Sequence, residues 1–172
     1  MEKPKVYSAG ILPFAKYKNE TYFLLGQDRN DETWSDFGGR SEIVDQNSHV
    51  NTATREFYEE TIGSVVDLDV IRKRLTSSHE TYIEIQSNTL NGSKYVMILT
   101  QIPYKNYNTI FRRTYEFIKY CKINKKYLEK VDIKWISTTN LLNSMKLQND
   151  NCILRNVFRN TLNKCVDEIE QL

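Results

Sequence analysis

Glu56, Glu59 and Glu60 stand at i, i+3 and i+4 of a segment, 48–62, in which Val50, Ala53 and Phe57 recur at helical spacing. On a helix the three carboxylates project into one patch beside that apolar stripe. Like charges so placed repel one another, and a divalent cation would hold them together. Oxygen-only donors select Mg²⁺, with Mn²⁺ as a substitute. Arg55, directly before the first glutamate, brings five fixed donors suited to holding several carboxylate oxygens in place. Taken alone, an E-x-x-E-E helix is more often a solvated acidic face. Here, however, Trp34 and the Gly38-Gly39 pair precede the helix, and a small-residue face backs the acidic one.

The stretch Gly38-Gly39-Arg40-Ser41-Glu42-Ile43-Val44-Asp45, followed by Thr52-Ala53-Thr54-Arg55-Glu56-Phe57-Tyr58-Glu59-Glu60-Thr61, resembles the Nudix box. That pattern is a Gly, a run containing acidic residues, then Arg-Glu, an apolar residue, any residue and Glu-Glu. The resemblance extends to Ala9-Gly10-Ile11-Leu12, Tyr22-Phe23-Leu24-Leu25, Trp135-Ile136-Ser137 and Leu141-Leu142, and so covers most of residues 6–142. It departs in three places. The loop between Asp45 and Asn51 is two residues longer than usual, Asp45 replaces the first Glu, and Ile62 takes the usual Gly position with Gly63 next to it.

The resemblance implies that Glu56, Glu59 and Glu60 bind the metal, that the carbonyl of Gly38 completes the sphere, and that Arg55 orients the carboxylates. It also implies hydrolysis of a diphosphate linkage in a nucleoside diphosphate derivative, with a metal-activated water attacking phosphorus and a carboxylate taking its proton. Such enzymes often carry a further glutamate before the late Trp-bearing strand. Glu129, six residues before Trp135, fits that place as general base or as a further metal ligand, with Glu116 second to it. Glu42 and Asp45 either support the site from behind or are loop charges.

The elements that must position these residues follow from patterning. Strands are expected at 6–14, 21–25, 65–71, 81–86, 95–102 and 132–136, with Asn91-Gly92 turning a hairpin. Helices are expected at 48–62, at 107–126 on Ile110, Phe117, Ile118 and Cys121, and at about 152–171 on Ile153, Val157, Phe158, Leu162, Cys165 and Ile169. The 172 residues then make a single α/β (α+β) domain, 1–172. The resemblance implies a Nudix-like α/β/α sandwich on a mixed sheet.

Lys plus Arg (24) nearly balance Asp plus Glu (22), so a polyanion partner must show up locally. It does so in a basic, Tyr-rich insertion at about 104–130. Lys105 to Lys134 holds nine basic and three acidic residues, a local charge of +6 that leaves the rest near −4. Arg112, Arg113, Lys125 and Lys126, interleaved with Tyr104, Tyr107, Tyr115, Tyr120 and Tyr127, suit phosphate binding and base stacking. The plainer account is a solvated helix whose tyrosines pack at its edges. Three readings follow: a pyrophosphohydrolase acting on a free nucleotide derivative, an mRNA-decapping Nudix enzyme holding RNA on the insertion, and a non-catalytic nucleotide-binding module, against which the intact acidic box argues.

The first residues hold no apolar run, and the longest one elsewhere, Tyr95 to Leu99, is far too short for a bilayer, so neither secretion nor membrane insertion is expected. Three cysteines without a C-x-x-C pair fit reduced thiols in an intracellular, cytoplasmic setting. His49 and His79 lack zinc-ligand spacing with any of them.

Overall fold

Ile11 and Leu12 are neighbours on one strand and both are fully buried, so the sheet must be covered on both faces. The computed structural model describes residues 7–77, 82–122, 124–147 and 152–172; His79 lies outside them. Its hub is β1 (Ser8–Tyr17), which runs parallel to β6 (Lys94–Gln101) along one edge. The other edge of β1 has two partners. β2 (Glu20–Asp28) pairs antiparallel from Tyr17↔Glu20 to Phe14↔Phe23, and β4 (Phe37–Arg40) pairs antiparallel from Ile11↔Phe37 to Ser8↔Arg40. Between those partners β1 and β2 part, and residues 34–40 fill the opening, with β3 (Trp34–Ser35) on β2 and β4 on β1. Asp36 sits at the changeover. β5 (Ile83–Asn88) flanks β6, and β7 (Lys130–Ser137) flanks β2, completing a mixed seven-stranded sheet.

One core contains Ala9, Ile11, Leu24 and Phe37 with Ala53 and Phe57 of α1 (His49–Glu60), Ile71 and Leu75 of α2 (Leu68–Thr76), and Tyr107 and Phe111 of α3 (Tyr107–Tyr120). The opposite core contains Leu12, Phe14, Phe23 and Leu25 with Leu141 of α4 (Thr138–Leu147), Phe158 and Leu162 of α5 (Asn156–Leu162) and Ile169 of α6 (Val166–Gln171). The expected α/β/α sandwich on a mixed sheet is therefore present. Phe57, fully buried and edge-on to Phe37 at 5.4 Å, anchors α1 and contributes about 2–3 kcal/mol. The Ser48 side chain caps α1 by accepting from the Asn51 amide at 3.3 Å. The chain leaves α1 through two left-handed residues, Ile62 (φ 50°) and Gly63 (φ 65°). Ile62, in the position expected to hold Gly, thus adopts a backbone that a β-branched residue rarely takes.

Three expectations are corrected. Residues 65–71 are not a strand: the Asp67 side chain caps α2, and Ile71 and Leu75, one helical turn apart, bury its face against the β-branched preference of the segment. α3 stops at Tyr120 and buries Tyr107 and Phe111, leaving Ile110, Phe117 and Cys121 exposed, because packing against β7 fixes which side faces inward. The C-terminal helix is two short helices broken at Asn163–Cys165. Its stripe of Phe158, Leu162, Cys165 and Ile169 is still buried, while Ile153 is half exposed. No helix among the described residues is long and apolar enough to cross a membrane.

Candidate active site

Arg55 is the centre of the site. Its Nε and Nη2 each donate to an Asp45 carboxylate oxygen at 2.9 Å, and Nη2 also donates to the Arg40 carbonyl at 2.9 Å. Nη1 donates to Glu56 Oε1 at 2.8 Å and to Glu59 Oε2 at 3.4 Å. One guanidinium thus ties the loop to two glutamates of α1. Asp45 ends the 3-10 turn Ile43–Asp45, is 2% exposed, and accepts from the Glu42 amide at 2.8 Å and the Thr52 hydroxyl at 2.9 Å. Burial alone would raise its pKa, but the hydrogen bonds from Arg55, Glu42 and Thr52 bring it below the ordinary value. Glu42 is exposed and lies 3.6 Å from Arg55 Nη1. Of the two loop acids, Asp45 is the one that supports Arg55 from behind.

The glutamates themselves divide. Glu60 turns inward, only 4% exposed, with Oε2 accepting from the Gly38 amide at 2.7 Å and Oε1 lying 3.5 Å from Lys130 Nζ. Because N–H and C=O of one extended residue point the same way, the Gly38 carbonyl also leaves β4 on the edge away from β1. Glu56 packs on Gly39, where a Cβ would meet its carboxylate at 2.5 to 2.6 Å. Glu59 Oε1 accepts from Lys126 Nζ at 2.8 Å. Burial pushes the pKa of Glu56 up to about 7 and that of Glu60 up to about 8, against the pull of Arg55 and Lys130 respectively. Glu129 lies close enough for its charge to raise both further. Behind them, Lys130 is 1% exposed and donates to Ser35 Oγ at 2.9 Å, and the Tyr95 hydroxyl donates to buried Asp36. Burial raises the Asp36 pKa to about 6. A cavity of about 500 Å³, lined by Ser35, Asp36, Gly38, Arg40, Tyr95 and Arg155, shares the strand 38–40 with the glutamates as a wall. Among the described residues, no three His, Cys, Asp or Glu side chains converge on a ready-made cation site.

No family model and no curated protein matches the chain. Among solved structures it is similar to the NUDIX domain of Shewanella oneidensis NrtR, with TM-score 0.55 and 14% identity over 99% of this chain and 89% of that one. It is similar also to a Listeria monocytogenes chain described as a NUDIX hydrolase (TM-score 0.54, 12% identity, 96% and 94% covered). A third likeness is to the MutT protein of Methanosarcina mazei Go1 (TM-score 0.50, 18% identity, 99% and 96% covered). The fold is that of the Nudix domains.

Within this Nudix fold, Arg55, Glu56, Glu59, Glu60 and the Gly38 segment come together with Glu129 and Lys126, which the 3-10 turn Lys125–Leu128 delivers from the insertion. The other basic residues named from the sequence do not join them. Arg112, on exposed α3, lies 3.8 Å from Asp132, and neither it nor exposed Arg113 has a described bond to the α1 glutamates; the Lys125 side chain lies outside what is described. Glu116 is exposed on α3. His49 is a surface partner of Glu84 at 2.8 Å. Sequence reasoning missed Ser35, Asp36, Tyr95 and the interior role of Lys130, which counts as one more surface charge until its burial is seen. The one available signal was the acid at position 36, between Trp34 and Gly38, where a strand-filling residue would be expected to be apolar.

Proposed function

We propose that the chain is a Mg²⁺-dependent pyrophosphohydrolase, with Mn²⁺ as a substitute, that cleaves a diphosphate linkage in a nucleoside diphosphate derivative by attack of water. The observation that carries this reading is the set of Glu56 and Glu59 held by Arg55, with Glu60 next to them on the Gly38 amide and the charge of Glu129 nearby, across one strand from a polar cavity. The donor set fits a hard divalent cation: it offers only oxygen, carries several negative charges, and is backed by an arginine that fixes two of the carboxylates. Glu56, Glu59, Glu60 and the Gly38 carbonyl would hold the ion, which supplies Lewis acidity toward phosphate oxygens and makes water a better nucleophile. Glu129 would take the proton of that water. Arg55 keeps Glu56 and Glu59 from turning away, and Arg40 and Arg155 at the cavity rim meet the charge of a phosphate or its leaving group. ADP ribose, held by the NrtR domain, belongs to the substrate class proposed.

A specific observation favours capped RNA as a second reading: α3 exposes Arg113, Phe117 and Tyr120 at helical spacing, with exposed Arg112 and Lys119 flanking them, a surface suited to stacking and phosphate contact. A purely binding module accounts less well for a cluster of carboxylates facing an anionic ligand, which they would repel without a metal. The deciding experiment is a screen of nucleotide sugars, dinucleoside polyphosphates, nucleoside triphosphates and capped RNA with product identification. Mg²⁺-dependent cleavage abolished in Glu59→Gln supports the proposal, and full turnover by Glu59→Gln at limiting Mg²⁺ overturns it. RNA affinity that falls steeply with salt, and less steeply in Arg112→Ala/Arg113→Ala, separates the second reading from the first.

A further inference from the structure

Glu59 faces two cations of its own chain. Arg55 Nη1 lies 3.4 Å from Oε2, and Lys126 Nζ lies 2.8 Å from Oε1. The two are not equally committed. The Arg55 side chain is 12% exposed and is locked to Asp45 by two bonds, whereas the Lys126 side chain is 43% exposed, sits on a short 3-10 turn, and has Glu59 as its ion-pair partner. An ammonium on a flexible stem that is nearly half exposed can leave at small cost. The same turn leads directly to Glu129, so it carries both an exchangeable positive charge and a carboxylate to the α1 face.

We infer that Lys126 is a positioning residue that holds the cation side of Glu59 in the metal-free protein, yields it to the divalent ion, and then turns to the phosphate oxygens of the substrate. The inference rests on the proposed pyrophosphohydrolase reading. Without an ion, Glu56, Glu59 and Glu129 repel one another, and the Lys126 charge offsets that repulsion. Once an ion sits against Glu59, the ammonium faces a like charge, and the diphosphate of an arriving substrate is the nearest strong anion it can pair with. Lys126 thereby lowers metal affinity in the absence of substrate and raises substrate affinity in the presence of metal.

The test is Mn²⁺ binding without substrate, followed by electron paramagnetic resonance of the free ion, on the wild type, Lys126→Gln, Lys126→Arg, Lys122→Gln as an exposed control, and Glu59→Gln. Lys126→Gln is expected to bind Mn²⁺ roughly three- to tenfold more tightly, the loss of one competing charge, while a separate titration of the Mn²⁺-loaded protein with ADP ribose shows weaker binding than in the wild type. Lys126→Arg should return both values toward wild type, and Lys122→Gln should move neither. Unchanged or weaker Mn²⁺ binding by Lys126→Gln, with binding still lost in Glu59→Gln, overturns the exchange and leaves the functional reading standing. Wild-type Mn²⁺ binding that does not depend on Glu59 overturns the functional reading and this inference with it.

Discussion

Arg55 and Asp45 meet in a two-point ion pair, with Nε and Nη2 each 2.9 Å from a different carboxylate oxygen. The carboxylate is buried, and the Thr52 hydroxyl and the Glu42 amide both donate to its Oδ2. Asp45→Ala removes both bonds from Arg55 and leaves Nε of that largely buried side chain, the Thr52 hydroxyl and the Glu42 amide without this acceptor, while Glu56 still pairs Nη1. It should therefore lower the unfolding free energy by about 2–3 kcal/mol. Thr52→Val, which deletes one neutral donor, should cost about 1 kcal/mol. Urea unfolding curves of the two variants check the order.

The same pair sets a pH dependence. The pKa of Asp45 is lowered in the folded state, so its stabilising contribution is present above its unfolded value of 3.8 and is lost as pH falls through the lower folded value. The stability difference between wild type and Asp45→Asn should therefore be constant from neutral pH down to about 4, close to the ordinary aspartate pKa, and shrink below it. A gap that instead widened toward acid pH would reverse the assigned direction.

Glu59 and Glu60 are one residue apart but differ in surroundings. Glu60 is buried on the Gly38 amide and Lys130, which is itself buried. Glu60→Ala takes the carboxylate from that amide and leaves the Lys130 ammonium with Ser35 alone as its bonded partner among the described residues, and should cost about 3 kcal/mol. Glu59 faces Arg55 and exposed Lys126, and Glu59→Ala should change stability by less than about 1 kcal/mol. Thermal unfolding in EDTA distinguishes them, and both variants should be inactive.

Gly38 and Gly39 tolerate a methyl group differently. A Cβ at Gly38 would lie 2.6 Å from the Gly10 Cα, and backbone cannot move aside cheaply, so Gly38→Ala should destabilise the fold. A Cβ at Gly39 meets the end of the Glu56 side chain, which can swing away. Gly39→Ala should stay folded by circular dichroism while losing Mg²⁺-dependent turnover.

Glu129 and Glu116 separate the candidates for general base outside the box. A general base contributes about 10²- to 10⁴-fold, so Glu129→Gln should lower kcat by that order with KM largely unchanged, and Glu116→Gln should behave as wild type. A loss confined to Glu116→Gln would reverse the assignment.

The sequence alone determined which residues could do chemistry and the main elements that carry them. The spacing of Glu56, Glu59 and Glu60 and the stripe of Val50, Ala53 and Phe57 depend only on helical periodicity, a local property. The α/β class followed from the order of apolar patterns, and the α/β/α sandwich from what the box resemblance implies. Only the tertiary structure decided that Glu60 turns inward, that Lys130 is interior, that Lys126 reaches Glu59 across 67 residues of sequence, and that Asp36 and Tyr95 form the wall of a cavity. The same applies to the inward side of α3: Ile110 and Phe117 look like core at helical spacing, yet the sheet accepts Tyr107 and Phe111. In each case the side chain's environment is set by strands and turns distant in sequence, through close packing and pairing of buried charge, and neither leaves a periodic signal in the chain.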